Sequence, residues 1–356
     1  MKKLLAMLLA LVMVLSFAAC GQEETPNEPE VENPSEGEET PEEPTEPEVT
    51  EATYTLGLGT VVSQTVEGKA QVDATFASVV LDAEGVIVAI DLDVAQSKCP
   101  TTDAGAYTAE GFDNRTKTEK GPDYGMTVAS PIGAEWDAQM AAFEAWAIGK
   151  TIDYVAGVEL VEHNGHNVAM NETDLYAGCT MDITSFQAAL ADAVNSTVEF
   201  TTAESFKLGL GVVTSCSVAD ATADADGSIQ MYSDYAAVVV AEDGTIIAAR
   251  LDAIQPKIGL AADGTLTGKE DLRSKYQLKE AYGMTVASPI AAEWYTQADA
   301  YCAYLAGKTV ADLEAIELVE HNGHLVALNE ADLYAGCTMQ VNSYIEATVK
   351  AVGYAD

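Results

Sequence analysis

The chain is poor in positive charge. Lys and Arg number 17 among 356 residues, against 57 Asp and Glu, for a formal net charge of −40. A field of that sign repels nucleic acid and anionic membrane surfaces, so nucleic acid is not an expected partner. The sequence has no P-loop, no dinucleotide-binding fingerprint and no Ser-His-Asp order. Asp224-Ala-Asp226-Gly227 lacks the downstream Glu of a calcium loop. The apolar run Leu4–Phe17 has 14 residues, short of the roughly 20 that cross a bilayer as a helix.

That run has a different use. Lys2 and Lys3 precede it, and Ala18, Ala19 and Cys20 follow. A short apolar stretch after a positive start reads as a secretory signal peptide over residues 1–20. The small-small-Cys ending resembles a lipobox, which makes Cys20 the first mature residue and the lipidation site. Two or more acyl chains there would hold the protein on the extracytoplasmic face of the cell membrane. Residues 21–52 form the next unit. Gly21–Glu51 carries 13 glutamates, six of the eleven prolines, and neither Lys nor Arg. With almost nothing apolar to bury, it is expected to be a disordered, extended tether.

The remainder is one sequence written twice. Tyr54-Thr-Leu-Gly-Leu-Gly59 recurs as Phe206-Lys-Leu-Gly-Leu-Gly211, and the nine residues Tyr124–Ile132 recur unchanged as Tyr282–Ile290. Leu160–His166 returns at Leu318–His324, and Asp174–Met181 at Asp332–Met339. An insertion of about six residues near Asp220–Ser228 predicts a longer hairpin turn in copy two. Each copy, 53–200 and 201–356, has the size of a self-sufficient domain and is expected to fold on its own.

Within each copy, Val-, Thr- and Ile-rich stretches broken by Glu-Gly or Asp-Gly turns predict three strands, around 53–63, 69–81 and 85–94 in copy one. Ser130 as N-cap and Pro131 at the first helical position predict a helix start. Ile132, Trp136, Met140, Phe143 and Ala147 then form its apolar stripe. A hairpin turns at Asn164-Gly165, and a last helix begins near Asp182 with Ile183, Phe186, Leu190 and Val194 on one face. Strands followed by helices indicate an α+β fold: two tandem homologous domains, each an antiparallel sheet packed with two or three helices.

Cys99, Cys216 and Cys302 have no counterpart in the other copy, which excludes a repeated disulfide framework. His163 and His166 flank the hairpin tip, as His321 and His324 do in copy two. No third or fourth ligand accompanies either pair, and no metal site is expected. Lys98, Arg115, Lys117 and Lys150 match Lys257, Arg273, Lys275 and Lys308. Cations kept in so acidic a background suggest that something anionic is held.

The segment Asp174-Leu-Tyr-Ala-Gly-Cys-Thr180 and its twin Asp332–Thr338 lie just before the last helix, where free N–H groups favour a phosphate. They resemble the Asp-x-x-Ser-Gly-Ala-Thr signature of the FMN-binding domain family, found in sodium-pumping and Rnf-type redox complexes and in extracellular electron-transfer lipoproteins. Asp174, Gly178 and Thr180 match, as do Asp332, Gly336 and Thr338. Ala177 and Ala335 stand for Ser, and Cys179 and Cys337 for Ala. These are small-for-small changes that lose one hydroxyl. The resemblance implies FMN esterified to Thr180 and Thr338 by a flavin transferase. Asp174 and Asp332 would act in transferase recognition or Mg²⁺ binding, and Arg115, Lys117, Arg273 and Lys275 would lie near the phosphates. The implied protein is an electron carrier rather than a stand-alone enzyme. The alternative is a cofactor-free surface lipoprotein whose repeated loops bind a small molecule or an envelope protein.

Overall fold

The computed structural model describes residues 51–222 and 224–355. The lipidation site at Cys20 and the tether up to residue 50 lie outside the described residues. Copy one opens with three antiparallel strands, β1 (Ala52–Thr65), β2 (Gln71–Leu81) and β3 (Ile87–Lys98). Then come the short α1 (Lys117–Lys120), α2 (Trp136–Ala147), α3 (Ile152–Ala156), the hairpin β4 (Val161–His163) and β5 (His166–Val168), α4 (Thr173–Gly178) and α5 (Thr184–Ala193). A further strand, β6 (Thr197–Thr202), returns to the open edge of β1, with Phe200 opposite Tyr54, and completes a sheet of order β3-β2-β1-β6. The expected boundary at 200/201 thus falls inside a strand.

Copy two repeats the plan with β7 (Phe206–Ala219), β8 (Gly227–Ala241) and β9 (Ile246–Ile254). Two strands, β10 (Lys257–Leu260) and β11 (Leu266–Thr267), extend the far end. Pro256, which has no N–H to donate, separates β9 from β10; its carbonyl still accepts from the Met231 N–H at 3.3 Å. There follow α6 (Lys275–Leu278), α7 (Trp294–Leu305), α8 (Val310–Glu314), the hairpin β12 (Val319–His321) and β13 (His324–Val326), α9 (Ala331–Gly336) and α10 (Asn342–Tyr354). The insertion in copy two lengthens the ladder as well as the turn, since Val218 still pairs with Ile229 and Ala219 with Ser228.

The layers are helix, sheet, sheet, helix. In copy one, Ala77, Val79 and Leu92 point to α2 and α5 and join a core with Trp136, Phe143, Phe186 and Leu190. Copy two has the same outer core around Trp294, Tyr301 and Tyr344. The other face of each sheet meets its twin: Leu56, Leu58, Phe76, Val80 and Phe200 pack against Leu208, Leu210, Val212, Tyr235 and Val239. Phe76 and Tyr235 lie 4.5 Å apart between ring centroids. Strands buried on both faces read as apolar runs such as Ala236–Val240 rather than as an alternation. Polar contacts cross the boundary too. The Leu210 N–H donates to Asp91 (2.8 Å), the buried Arg250 guanidinium to Ser196 (2.9 Å), and the Lys350 ammonium to Glu119 (2.8 Å).

The repeated Leu-Gly-Leu-Gly has a packing cause. A Cβ at Gly59 would collide with the Ala189 carbonyl and the Ala193 N–H of α5. One at Gly211 would meet Ala347 and Ala351 of α10 in the same way. The last helix of each copy therefore rests its backbone directly on the first strand.

The helix expected to start at Pro131 starts at Trp136 instead, and its twin at Trp294. Ser130 shapes a turn rather than a cap, its hydroxyl accepting from the Ala134 N–H (3.3 Å) and from the Gln139 side chain (2.9 Å). The Glu135 carboxylate accepts from the Met126 and Thr127 N–H groups, at 2.8 and 3.2 Å, and ties a separate 3-10 turn, Met126–Val128, to the start of α2. Ile132, expected in the stripe, is exposed, as is Val194 at the end of α5. Among the described residues no helix is long and apolar enough to cross a membrane.

Candidate functional site

On the helix-facing side of each sheet lies one cavity, of about 660 Å³ in copy one and 710 Å³ in copy two. The threonine of the repeated motif is in the wall of both. Its surroundings are built by α2 and α7. Gln139 and Gln297 are fully buried in otherwise apolar helix faces. The Gln139 Oε1 accepts the backbone N–H of Thr180 at 2.8 Å and its hydroxyl at 3.2 Å; Gln297 does the same for Thr338 at 2.9 and 3.1 Å. The amide nitrogens of the two glutamines donate onward to Ser130 and Ser288. A buried amide with all its bonds made fixes the rotamer of the threonine it serves. Thr180 is half-buried, and Thr338 is 9 % exposed.

The rest of the motif has other work. Residues 173–178 form α4 rather than a turn, and Thr180 stands four residues before α5 rather than at its first turn. The first N–H of α5 is already taken, since Thr184 donates to the Asp182 carboxylate at 3.0 Å. Gly178 gives room to a neighbouring helix, for a Cβ there would come within 2.7 Å of the Ala142 Cβ. Gly336 meets Ala300 at the same distance. Asp174 and Asp332 are exposed on α4 and α9, away from the cavity linings. Cys179 and Cys337 are buried, and burial pushes both thiols up to about 11, which leaves them inert.

Of the shared cations, only Lys117 and Lys275 line the cavities. Arg115 is exposed and paired with Asp113 (3.1 Å) and Asp123 (3.0 Å), and Arg273 with Asp271 (2.7 Å). These guanidiniums therefore stabilise their own loops. Each lysine sits at the start of a short helix fixed by a capping box, Thr116 with Glu119 and Ser274 with Gln277. A buried strand aspartate closes the same helix end: Asp93 accepts from the Thr118 N–H (3.1 Å) and Asp252 from the Tyr276 N–H (2.9 Å). Burial pushes both carboxyls up to about 6.

The two cavities differ in their floor. The Lys117 Nζ lies 4.8 Å from the Tyr124 ring centroid and 5.4 Å from that of Trp136. Lys275 has a tighter cage of Tyr232 (4.7 Å), Tyr282 (5.1 Å) and Trp294 (5.4 Å), and it donates to the Tyr232 hydroxyl. Buried there, its ammonium is pushed down to about 8. Asp234, where copy one has Thr75, is 3 % exposed, and burial pushes it up to about 7. Its buried Oδ1 has no hydrogen-bond partner, and the residue is part of the cavity lining.

At the rim, His163 is paired directly with His166 and His321 with His324. The tips have positive φ, 54° at Asn164 and 85° at Gly165, as the Asn-Gly pair required. Among the described residues no group of three or more His, Cys, Asp or Glu could hold a metal ion. The loop Tyr124–Ile132 forms the opposite rim, with Val128 almost fully exposed.

The sequence left Gln139, Gln297, Asp93, Asp252 and Asp234 unnoticed. A signal for the first four existed in a polar residue kept at the same place in both copies within an apolar pattern. Asp234 gave none. Fold and site together define a duplicated α+β protein with one threonine- and lysine-lined cavity per copy. Comparison with known proteins finds no matching family model, no similar curated protein and no similar solved structure.

Proposed function

We propose that the protein is an extracytoplasmic electron carrier with one flavin mononucleotide in each copy, held at the cell membrane through lipid on Cys20. The observation that carries this reading is the motif threonine, which lies in the wall of a cavity beside a lysine and a tryptophan in both copies. The residues suit the group. Lys117 offers an ammonium to a phosphate. Trp136, Met126 and Phe186 in copy one, and Trp294, Met284 and Tyr344 in copy two, supply flat apolar walls for a ring system. Bound flavin supplies one- and two-electron redox chemistry, and the protein supplies position and tuning.

The residues of the chain do the rest. Gln139 and Gln297 accept a hydrogen bond from the threonine hydroxyl and so turn the lone pairs of that oxygen away from the glutamine. Glu135 and Glu293 hold the loop at the rim. A flavin transferase that cleaves the FAD pyrophosphate would esterify FMN to the Thr180 and Thr338 hydroxyls, with AMP and the hydroxyl proton leaving, and so retain a cofactor that otherwise diffuses away outside the cell.

Intact mass after co-expression with a flavin transferase tests this reading. The expected gain is two FMN units for the wild type, one for Thr180→Ala, one for Thr338→Ala and none for the double variant, because the sites belong to separate cavities. A wild type with no mass gain and no flavin in its absorption spectrum would overturn it. The cofactor-free reading would then remain.

A further inference from the structure

Two cysteines that have no counterpart in the other copy meet across the boundary between the copies. Cys99 follows β3 and is 1 % exposed. Its backbone is pinned by a 2.9 Å bond from its N–H to the Ala70 carbonyl. Cys216 lies in β7, paired with Met231, and is partly exposed. Both belong to one apolar cluster, which takes Ala70 and Val72 from copy one and Ile229, Met231 and Ile258 from copy two. The two thiols lie close enough to interact directly, and the Cys99 Sγ also reaches the carbonyls of Pro100 (3.6 Å) and Thr108 (3.5 Å). The repeat sets Ile258 where copy one has Cys99 and Gln64 where copy two has Cys216, so only one of the two equivalent crossings carries sulfur on both sides.

We propose that Cys99 and Cys216 form a disulfide that ties copy one to copy two. The other described cysteines do not compete, because Cys179 lies in the outer core of copy one and Cys302 and Cys337 in that of copy two, outside this cluster. Beside Cys216 the Cys99 thiol is lowered, and beside Cys99 the Cys216 thiol is raised, so of the pair Cys99 holds the thiolate, the reacting form. The oxidant is a second disulfide, small-molecule or protein, such as an extracytoplasmic compartment provides. The Cys99 thiolate takes the proton of the more accessible Cys216, which attacks one of the oxidant's sulfurs and releases the first thiol. Cys99 then attacks the Cys216 sulfur, the mixed disulfide breaks, and the second thiol departs. The two cysteines lose two protons and two electrons in all, and the incoming disulfide is reduced to two thiols. The new bond closes a loop of about 120 residues.

The test uses the full chain, incubated with oxidised glutathione or with a reductant, then alkylated in denaturant and weighed. The oxidised sample is expected to carry two fewer alkyl groups than the reduced one, with a Cys99–Cys216 cross-linked peptide in the non-reducing digest. Its melting midpoint should rise by about 5–10 °C. Cys216→Ser should melt like the reduced wild type and show no such rise, since Cys216 is the partly exposed member. Alkylation of both cysteines in the oxidised sample, or a cross-link between other positions, would overturn the proposal.

Discussion

Separating the copies should expose what joins them. Residues 53–205, made alone, would return one face of a sheet to water: Leu56, Leu58, Phe76, Val80 and Phe200, each 7 % exposed or less in the intact chain. At about 2 kcal/mol for each large apolar side chain, that face contributes roughly 10 kcal/mol, as much as the whole stability of an ordinary domain, about 5–15 kcal/mol. Residues 206–356 would lose a comparable amount through Leu208, Leu210, Val212, Tyr235 and Val239. Calorimetry of each fragment should therefore show no cooperative transition, or one far below that of the intact chain, together with binding of a hydrophobic dye. Mixing the fragments should restore the transition and displace the dye. If each fragment alone melts sharply near the intact midpoint and binds no dye, the shared face contributes little. The copies are then the independent domains their repetition suggests.

Two further outcomes follow from the packing and the buried charges. Gly211→Val should abolish soluble expression or lower the melting midpoint by more than about 10 °C, since its side chain has no space beneath α10. Gly353→Ala, with nothing within 4 Å, should be neutral or gain about 0.5–1 kcal/mol; a tolerated Gly211→Val would refute the backbone contact. The second outcome concerns pH. Asp93 and Asp252 stand at about 6 and Asp234 at about 7, all above the unfolded value of 3.8. A carboxyl raised on folding contributes stability in full below pH 4 and loses it as pH rises through its folded value. Melting midpoints should therefore fall between pH 5 and pH 7.5, and Asp234→Asn should flatten that slope. An unchanged slope in the variant would show that Asp234 is ionised throughout.

Much of the fold was legible because it is local. Gly-bearing turns delimited β1 to β3, and Asn-Gly marked the hairpin tip. The stripe of Trp136, Met140 and Phe143 marked α2. Its start was misread because Ser130-Pro131 carries a cap signal whose hydroxyl is used by Gln139, and that contact is set by tertiary packing. The face shared by the copies could not be read at all. Phe76 and Val79 are equally apolar, yet one faces the twin sheet and the other the helices. For the site, the repeated motif and the shared cations picked out Thr180 and Lys117, which line one cavity. They grouped Arg115 with them because two cations two residues apart look alike until Asp113 and Asp123 are seen to claim one.

The double sheet sets a spacing. Stacked sheets lie about 10 Å apart, and the two cavities open on their outer sides, so whatever occupies one is separated from the other by at least that thickness of packed side chain. Each cavity has its own rim of histidines and its own loop, facing a different body of solvent. One partner can thus engage the first rim while a second engages the other, and neither must leave for the other to arrive. With Thr75 lining one cavity and Asp234 the other, two halves built on one plan present unequal surfaces to whatever each holds.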